Sequence, residues 1–394
     1  MKLKTTSVAV VKSMQLPRKP EFDALRGLFL VWMTLTHLPT RLSDLVNQPF
    51  GFVSSAEGFV LLSAVLVGRV YMRQALESTG RLRSKLWKRA LRVYAYHVVL
   101  LLLAFTFAAA FAVYRHHIAL ENLLDFYLAH PAVAIVGSLL HIYCPPLLDI
   151  LPMYVIFLLA SPFAFSIAVK RSWRPVIVGS TLIWFLAQFG LRRWVQQAVV
   201  HVTHLPIPLQ QWGAFNLFAW QWVWIMGMWM GARSIEGELP LHRIPKWCMW
   251  IAAVVCVFFA GVRHAWWGPR LTQEHLGLLL DKWQFGPLRV LNVVAFVCVL
   301  YSLRGAVRWL ISHEPLITLG RASIEVFCAH LVFVFVGLAL LYGEVPQLHG
   351  VYALSLLVAT FIGLLYVAYR QVRRKHAEKL RKAAAAPSPA NVPG

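Results

Sequence analysis

Ten stretches of roughly twenty mostly apolar residues follow one another along this chain, separated by short polar connections. That alternation leaves one class of fold open. A helix needs about 20 apolar residues to cross the ~30 Å hydrocarbon core of a bilayer. In lipid, only a helix or a closed barrel satisfies its own backbone. The stretches lie at about 22–39, 51–72, 93–114, 149–169, 175–193, 214–232, 247–263, 286–303, 315–341 and 351–370. Only 14% of residues are charged and 59% are hydrophobic, whereas a soluble domain carries about 25% charge. The expectation is an all-α fold, a polytopic transmembrane helical bundle of about ten spans.

The formal net charge of +22 could suggest nucleic acid, but no soluble basic module exists to carry it. The basic residues instead cluster between spans, as the positive-inside rule predicts for cytoplasmic loops. The densest cluster is Arg73, Arg81, Arg83, Lys85, Lys88, Arg89 and Arg92, between the second and third spans. It fixes the cytoplasmic side and places both termini there. Residues 1–20 read as a basic cytoplasmic arm without a secretory signal, 21–371 as one membrane domain, and 372–394 as a basic, then disordered, cytoplasmic tail. The short apolar stretch 131–147, broken by Pro145-Pro146, reads as re-entrant or interfacial. The five cysteines form no CxxC pair, and His116-His117 and His201/His204 lack a supporting carboxylate or thiol set. Neither disulfides nor a metal is expected. The oligomeric state is open between monomer and homo-oligomer.

The first span, Asp23 to His37, carries an acid, an arginine and a histidine inside an apolar run. The eleven-residue step from Arg26 to His37 leaves them within roughly 20° of one helix face and about 16 Å apart along the axis. Asp23, three residues before Arg26, joins that stripe. Ionisable groups within a span are costly and usually face a bundle interior or a wet cavity. Histidine is the usual general base near neutral pH, and the charged stripe weighs against an idle interfacial role for His37.

Glu57 lies about two turns into the second span from the same side, at a depth similar to His37. A carboxylate bonded to the imidazole would raise its basicity and fix its tautomer. Ser54 and Ser55 are nearby hydroxyls without a nucleophile-elbow setting. Arg89 and Arg92 share a helix face at the cytoplasmic entry to the third span. Two guanidinium forks there suit a phosphate-bearing ligand, against the ordinary reading of charges snorkelling to lipid phosphate. Asp149 and Tyr154 open the fourth span and are placed to line the same cavity. Asn216 and Gln221 sit among the tryptophans of the sixth span, which suits either sugar stacking or an interfacial belt. The ninth span holds Arg321, Ser323, Glu325 and His330; Glu325 and His330 point about 140° apart and should serve different partners.

These residues together resemble the acyltransferase-3 superfamily of integral membrane O-acyltransferases. Its marks are an arginine and a histidine ten intervening residues apart in the first helix, here Arg26/His37, and an RxxR at the third, here Arg89/Arg92. Finer likeness is to the OpgC branch, named for succinylation of osmoregulated periplasmic glucans. It rests on Asp23-Ala-Leu-Arg-Gly, Phe-Gly-Phe-Val-Ser-Ser-Ala-Glu57-Gly-Phe-Val, Leu-Pro-Met-Tyr154, Phe-Asn216-Leu-Phe-Ala-Trp-Gln221 and Leu-Gly-Arg-Ala-Ser-Ile-Glu-Val-Phe-Cys-Ala-His330. At Leu217 the branch more commonly carries proline.

The resemblance implies a multi-pass protein of a bacterial inner membrane. It would take acyl-CoA (succinyl-CoA first) from the cytoplasm and acylate a hydroxyl of a periplasmic glucan or related glycan. His37 and Glu57 would be catalytic; Arg26, Arg89 and Arg92 would hold the CoA; no metal is implied. Direct transfer and a covalent acyl-histidine both fit. The alternatives are a transporter or flippase of an anionic substrate, an O-acetyltransferase acting on another envelope polysaccharide, and a non-catalytic partner in polysaccharide assembly.

Overall fold

The computed structural model describes residues 19–236, 241, 244–266, 276–341 and 345–384. Most of the expected N-terminal arm, the Arg270, Glu274 and His275 part of one connection, and the last ten residues of the tail lie outside the described residues. Among the described residues the secondary structure is helical, with a single isolated β-bridge between Thr40 and Leu348.

Helix α1, Pro20–His37, opens with proline in its first turn and with Glu21 and Asp23 near its N-terminus, both favourable there. Pro39 ends it by holding Leu38 extended. Helix α2, Ser55–Glu77, starts at a capping box in which Ser54 and Glu57 satisfy each other's backbone. The expected second span therefore begins four residues late, because residues 51–54 form the approach to the cap. Helix α3, Thr79–Arg115, runs through a π-helical turn at Ala104–Ala108. The basic stretch from Arg81 to Arg92, expected as a loop, is the first half of this helix.

Helix α4, Pro131–Leu139, has only nine residues, in keeping with a segment too short to cross. Helices α5, Ile150–Lys170, and α6, Trp173–Gln188, follow. The connection expected after the fifth span is a further helix, α7, Leu191–Thr203, bent 83° from α6. Helices α8, Leu217–Arg233, and α9, Lys246–Arg263, complete the middle of the chain. Helix α10, Pro287–Ser302, turns by 79° into α11, Arg304–Ile311. The expected ninth span is broken at Ala322 into α12, Glu314–Arg321, and α13, Ser323–Ala339, which meet at 93°. Helix α14, Gly350–Ala384, carries on well past the expected end of the last span, so that the basic residues to Lys382 are helical.

Among the described residues, five helices are long and apolar enough to cross a membrane, or up to eight if each bent pair is one span. Two further expected spans differ for visible reasons. Helix α1 carries Glu21, Asp23 and Arg26, and α8 has only 17 residues.

Two helix pairs approach too closely for any side chain. A Cβ on Gly231 of α8 would lie 1.9 Å from the Val65 carbonyl oxygen of α2, and one on Gly320 of α12 would lie 1.7 Å from that of Asp23 in α1. The second contact seats the N-terminal half of α1 against α12 and so brings the α12–α13 break beside Arg26. Trp220 and Trp224 of α8 are fully buried; the indole of Trp224 donates to Ser161 Oγ at 3.0 Å. These two rings are core, neither an interfacial belt nor an open platform for sugars.

Candidate active site

Two polar clusters sit at opposite ends of α1. At its C-terminal end, the imidazoles of His37 and His330 stack with centroids 5.6 Å apart and planes 17° apart. His37 Nδ1 lies 3.3 Å from His330 Nε2, and His330 Nδ1 bonds the Phe327 carbonyl. That carbonyl can only accept, so His330 carries its proton on Nδ1 and presents Nε2 as an acceptor. His37 then donates from Nδ1, and its own Nε2 holds a free lone pair. His330 is fully buried while His37 is half-buried. A carbonyl and a buried ring thus fix the tautomer of His37.

The expected partner of His37 is elsewhere. The Glu57 carboxylate, fully buried, accepts from Arg289 Nη1 at 2.8 Å, from the Ser54 N–H at 3.0 Å and from the Ser54 hydroxyl. Arg289 also donates from Nε to the Leu280 carbonyl at 3.1 Å and from Nη1 to the Phe52 carbonyl, while Asn292 Oδ1 accepts from the Phe52 N–H at 2.7 Å. Glu57 is occupied in tying the 50–54 segment to α10 because its cap position points it back at Ser54. Ser55, first residue of α2, is buried beside it.

At the other end, α1, α2, α3, α5, α12, α13 and α14 enclose a cavity of about 470 Å³. Arg26, Lys85, Lys88, Arg89, Arg92, Arg321 and Lys375 line it, with Glu325 as its carboxylate. Arg89 is in hydrogen-bonding reach of the Tyr71 and Tyr154 hydroxyls, and Arg26 donates to Ser323 Oγ. The break at Ala322 turns the N-terminus of α13 into this cavity, where Ser323, Ile324 and Glu325 line the wall. Seven cations and a helix N-terminus make an anion site of high charge density. Glu325 is held by Tyr96, Gln371 and by Lys375 at 3.1 Å, so it and His330 do serve different partners.

The clusters meet through aromatic rings. Phe59 and Phe327 stack at 6.1 Å across the inner wall of the basic cavity, and Phe327 packs edge-on to His330 at 4.9 Å.

Around the His37 end, Asp149 stands just before α5 and accepts from the Ala214 N–H at 2.9 Å. Burial pushes its carboxyl up to about 6, against the opposing pull of that N–H, Lys282 and Arg192. The Lys282 ammonium sits over Trp283 at 4.6 Å and within electrostatic reach of His37, Glu57 and Asp149. Burial lowers it from its ordinary value, opposed by the two carboxylates. Asn216 caps α8 by accepting from the Phe218 N–H at 3.1 Å and bonds Gln284. Gln221 exchanges two 2.7 Å bonds with Ser180 and joins α8 to α6, away from either cluster. Asp23 is buried at the Gly320 contact.

The structure therefore groups Arg26, Arg89, Arg92, Tyr154, Ser323 and Glu325 in one cavity and His37 with His330. Sequence reasoning passed over Arg289, although an arginine in the run Pro287-Leu-Arg289-Val was the signal. It also passed over the Ser54-x-x-Glu57 cap and over Tyr71, Phe59, Phe327 and Lys375.

A profile of the OpgC protein family matches residues 18–376, nearly the whole chain. No curated protein and no solved structure matches.

Proposed function

We propose that this chain, which belongs to the OpgC protein family, is a multi-pass membrane acyltransferase that succinylates a glucan, taking succinyl-CoA from the cytoplasm and delivering the acyl group to a periplasmic hydroxyl. The observation that carries the reading is the continuity of the two clusters. A cavity with seven cations abuts, through Phe59 and Phe327, the ring that orients His37. The charge of that arrangement suits a polyphosphate with a long slender arm ending in a reactive group.

In this reading Arg89, Arg92 and Arg26 hold the CoA phosphates with the surrounding lysines, since guanidinium forks match phosphate oxygens in pairs. The pantetheine arm crosses the Phe59/Phe327 pair and brings the thioester to His37. Nε2 of His37 accepts the proton of the glucan hydroxyl as its oxygen attacks the thioester carbonyl. The C–S bond breaks, and the proton returns to the departing CoA thiolate. Throughout, Nδ1–H of His37 stays bonded to His330 Nε2, which keeps the ring in place and supports its transient positive charge. His330 is the positioning residue in the role first expected of Glu57; Glu57 acts through the scaffold. The cytoplasmic placement of both termini, the inner membrane and the ten-span count follow from the distribution of basic residues and belong to the same proposal.

The test is to supply purified protein with succinyl-CoA and glucan, then measure free CoA together with the mass of the glucan. Acyl transfer predicts one thiol released for each succinyl group gained by the glucan. A transporter predicts substrate accumulating in vesicles with no thiol released.

A further inference from the structure

A second hollow, of about 640 Å³, lies on the other side of α1 and plays no part in the chemistry above. Its walls are Leu25 and Phe29 of α1, Leu61 and Val65 of α2, and Val297 and Leu300 of α10. Helix α10 packs mainly on α9 and stands off from α1 and α2 across this gap. The groove runs from Lys19 to Phe29 along α1, a depth of about 15 Å at ~1.5 Å per residue. That is half of a ~30 Å hydrocarbon core, the thickness of one leaflet. Aromatic rings close its inner end: Phe29 stacks on Trp32, Trp32 meets Phe50, and Phe50 stacks on Phe296.

The open end is basic. Lys19, Arg304 and Arg308 stand at the mouth beside Glu21, which approaches Arg308 at 4.0 Å. The two arginines come from α11, the short helix bent 79° from α10. A helix so bent from a spanning helix lies near the membrane plane. Trp309 and Leu310, 80% and 63% exposed, are then placed to enter the bilayer interface beside the arginines. Cations alternating with apolar side chains at the end of a one-leaflet groove match one kind of molecule.

We infer that this groove binds an anionic phospholipid of the leaflet at the basic end of the bundle, one acyl chain along α1, α2 and α10 and the headgroup phosphate between Lys19, Arg304 and Arg308. The apolar walls supply the hydrocarbon site and the three cations supply the preference for negative charge. Acyl-CoA is served by the other cavity, where seven cations rather than three meet its larger charge.

The test uses the full-length protein in phosphatidylcholine nanodiscs doped with phosphatidylglycerol, with retained lipid read by native mass spectrometry. Phosphatidylglycerol should be kept in preference to phosphatidylcholine and should saturate. Arg304→Gln with Arg308→Gln, both at exposed positions, should lower retention about 10- to 30-fold. Val297→Trp, which fills the groove and leaves the charges, should lower it independently. Equal retention of the two lipids overturns the inference, as does undiminished retention of phosphatidylglycerol in both variants. Retention that appears only after deleting residues 1–17 would assign the groove to the chain's own N-terminus and overturn it too.

Discussion

Arg289→Met would strip the buried Glu57 carboxylate of its cation. Arg289 is 1% exposed and Glu57 fully buried, so neither charge can be rehydrated without moving helices. Removing one partner of such a pair costs about 3–5 kcal/mol, because the remaining charge stays buried and uncompensated. Unfolding entropy of ~2.1 cal/mol/K per residue gives about 0.8 kcal/mol/K for 394 residues. The melting temperature should therefore fall by about 4–6 °C, read by tryptophan fluorescence on detergent-solubilised protein. Glu57→Leu alone should cost a similar amount by stranding the guanidinium. The double variant should recover most of either loss, leaving a coupling of at least ~2 kcal/mol. Acyl transfer by the double variant should persist at temperatures where it is folded. The reasoning is refuted if Glu57→Leu melts with wild-type but has lost activity, since Glu57 would then act in the chemistry.

His330→Phe keeps the stacked ring but removes the acceptor for His37 Nδ1, so kcat should drop roughly 10- to 100-fold with KM for acyl-CoA unmoved; a KM change of the same size would place His330 in substrate binding. Arg89→Ala or Arg92→Ala should weaken acyl-CoA binding about 10- to 100-fold by isothermal titration, each removing charge-assisted bonds, and unchanged affinity would dismiss the phosphate assignment. Asp149 has a folded value near 6 against 3.8 for the free side chain. Its raised value means that the native state holds the proton more tightly, so stability from this group is full below about pH 4 and lost as pH rises through 6. Asp149→Asn should accordingly melt higher than wild-type at alkaline pH and converge with it in acid; a gap that widens on acidification would reverse the assignment. Gly231→Ala, whose Cβ would stand 1.9 Å from the Val65 carbonyl oxygen, should cost about 3 kcal/mol or more through forced separation of α2 and α8, measured as lost thermal stability.

Although the residues from Arg81 to Arg92 and the tail to Lys382 are helical rather than loops, the basic stretches stood out against the apolar ones. The helical class and the positions of most long apolar helices were legible because such helices are written as long apolar runs. The breaks were not. Nothing local at Arg321-Ala322-Ser323 resembles a stop signal; the 93° turn there follows from the seating of Gly320 on α1, a tertiary contact. Arg26 stood out because charge in an apolar run is conspicuous, and Arg89 and Arg92 because their spacing puts two guanidinium groups on one helix face; the structure places the three along one cavity. His37 stood out for the same reason as Arg26, but the structure sets it beside His330 rather than Glu57. Equal depth made Glu57 a plausible neighbour, while the local grammar of Ser54-Ser-Ala-Glu57 had already committed that carboxylate to a helix cap. His330 lies 293 residues from His37, a pairing that no local spacing encodes.

The central claim is that His37, oriented by His330, removes the proton of an acceptor hydroxyl during acyl transfer. Release of CoA thiol from succinyl-CoA in the presence of glucan tests it most directly, comparing wild-type with a His37→Ala protein of equal melting temperature. The account predicts glucan-dependent thiol release by the wild-type and none above background by the variant. Undiminished release by His37→Ala would contradict it.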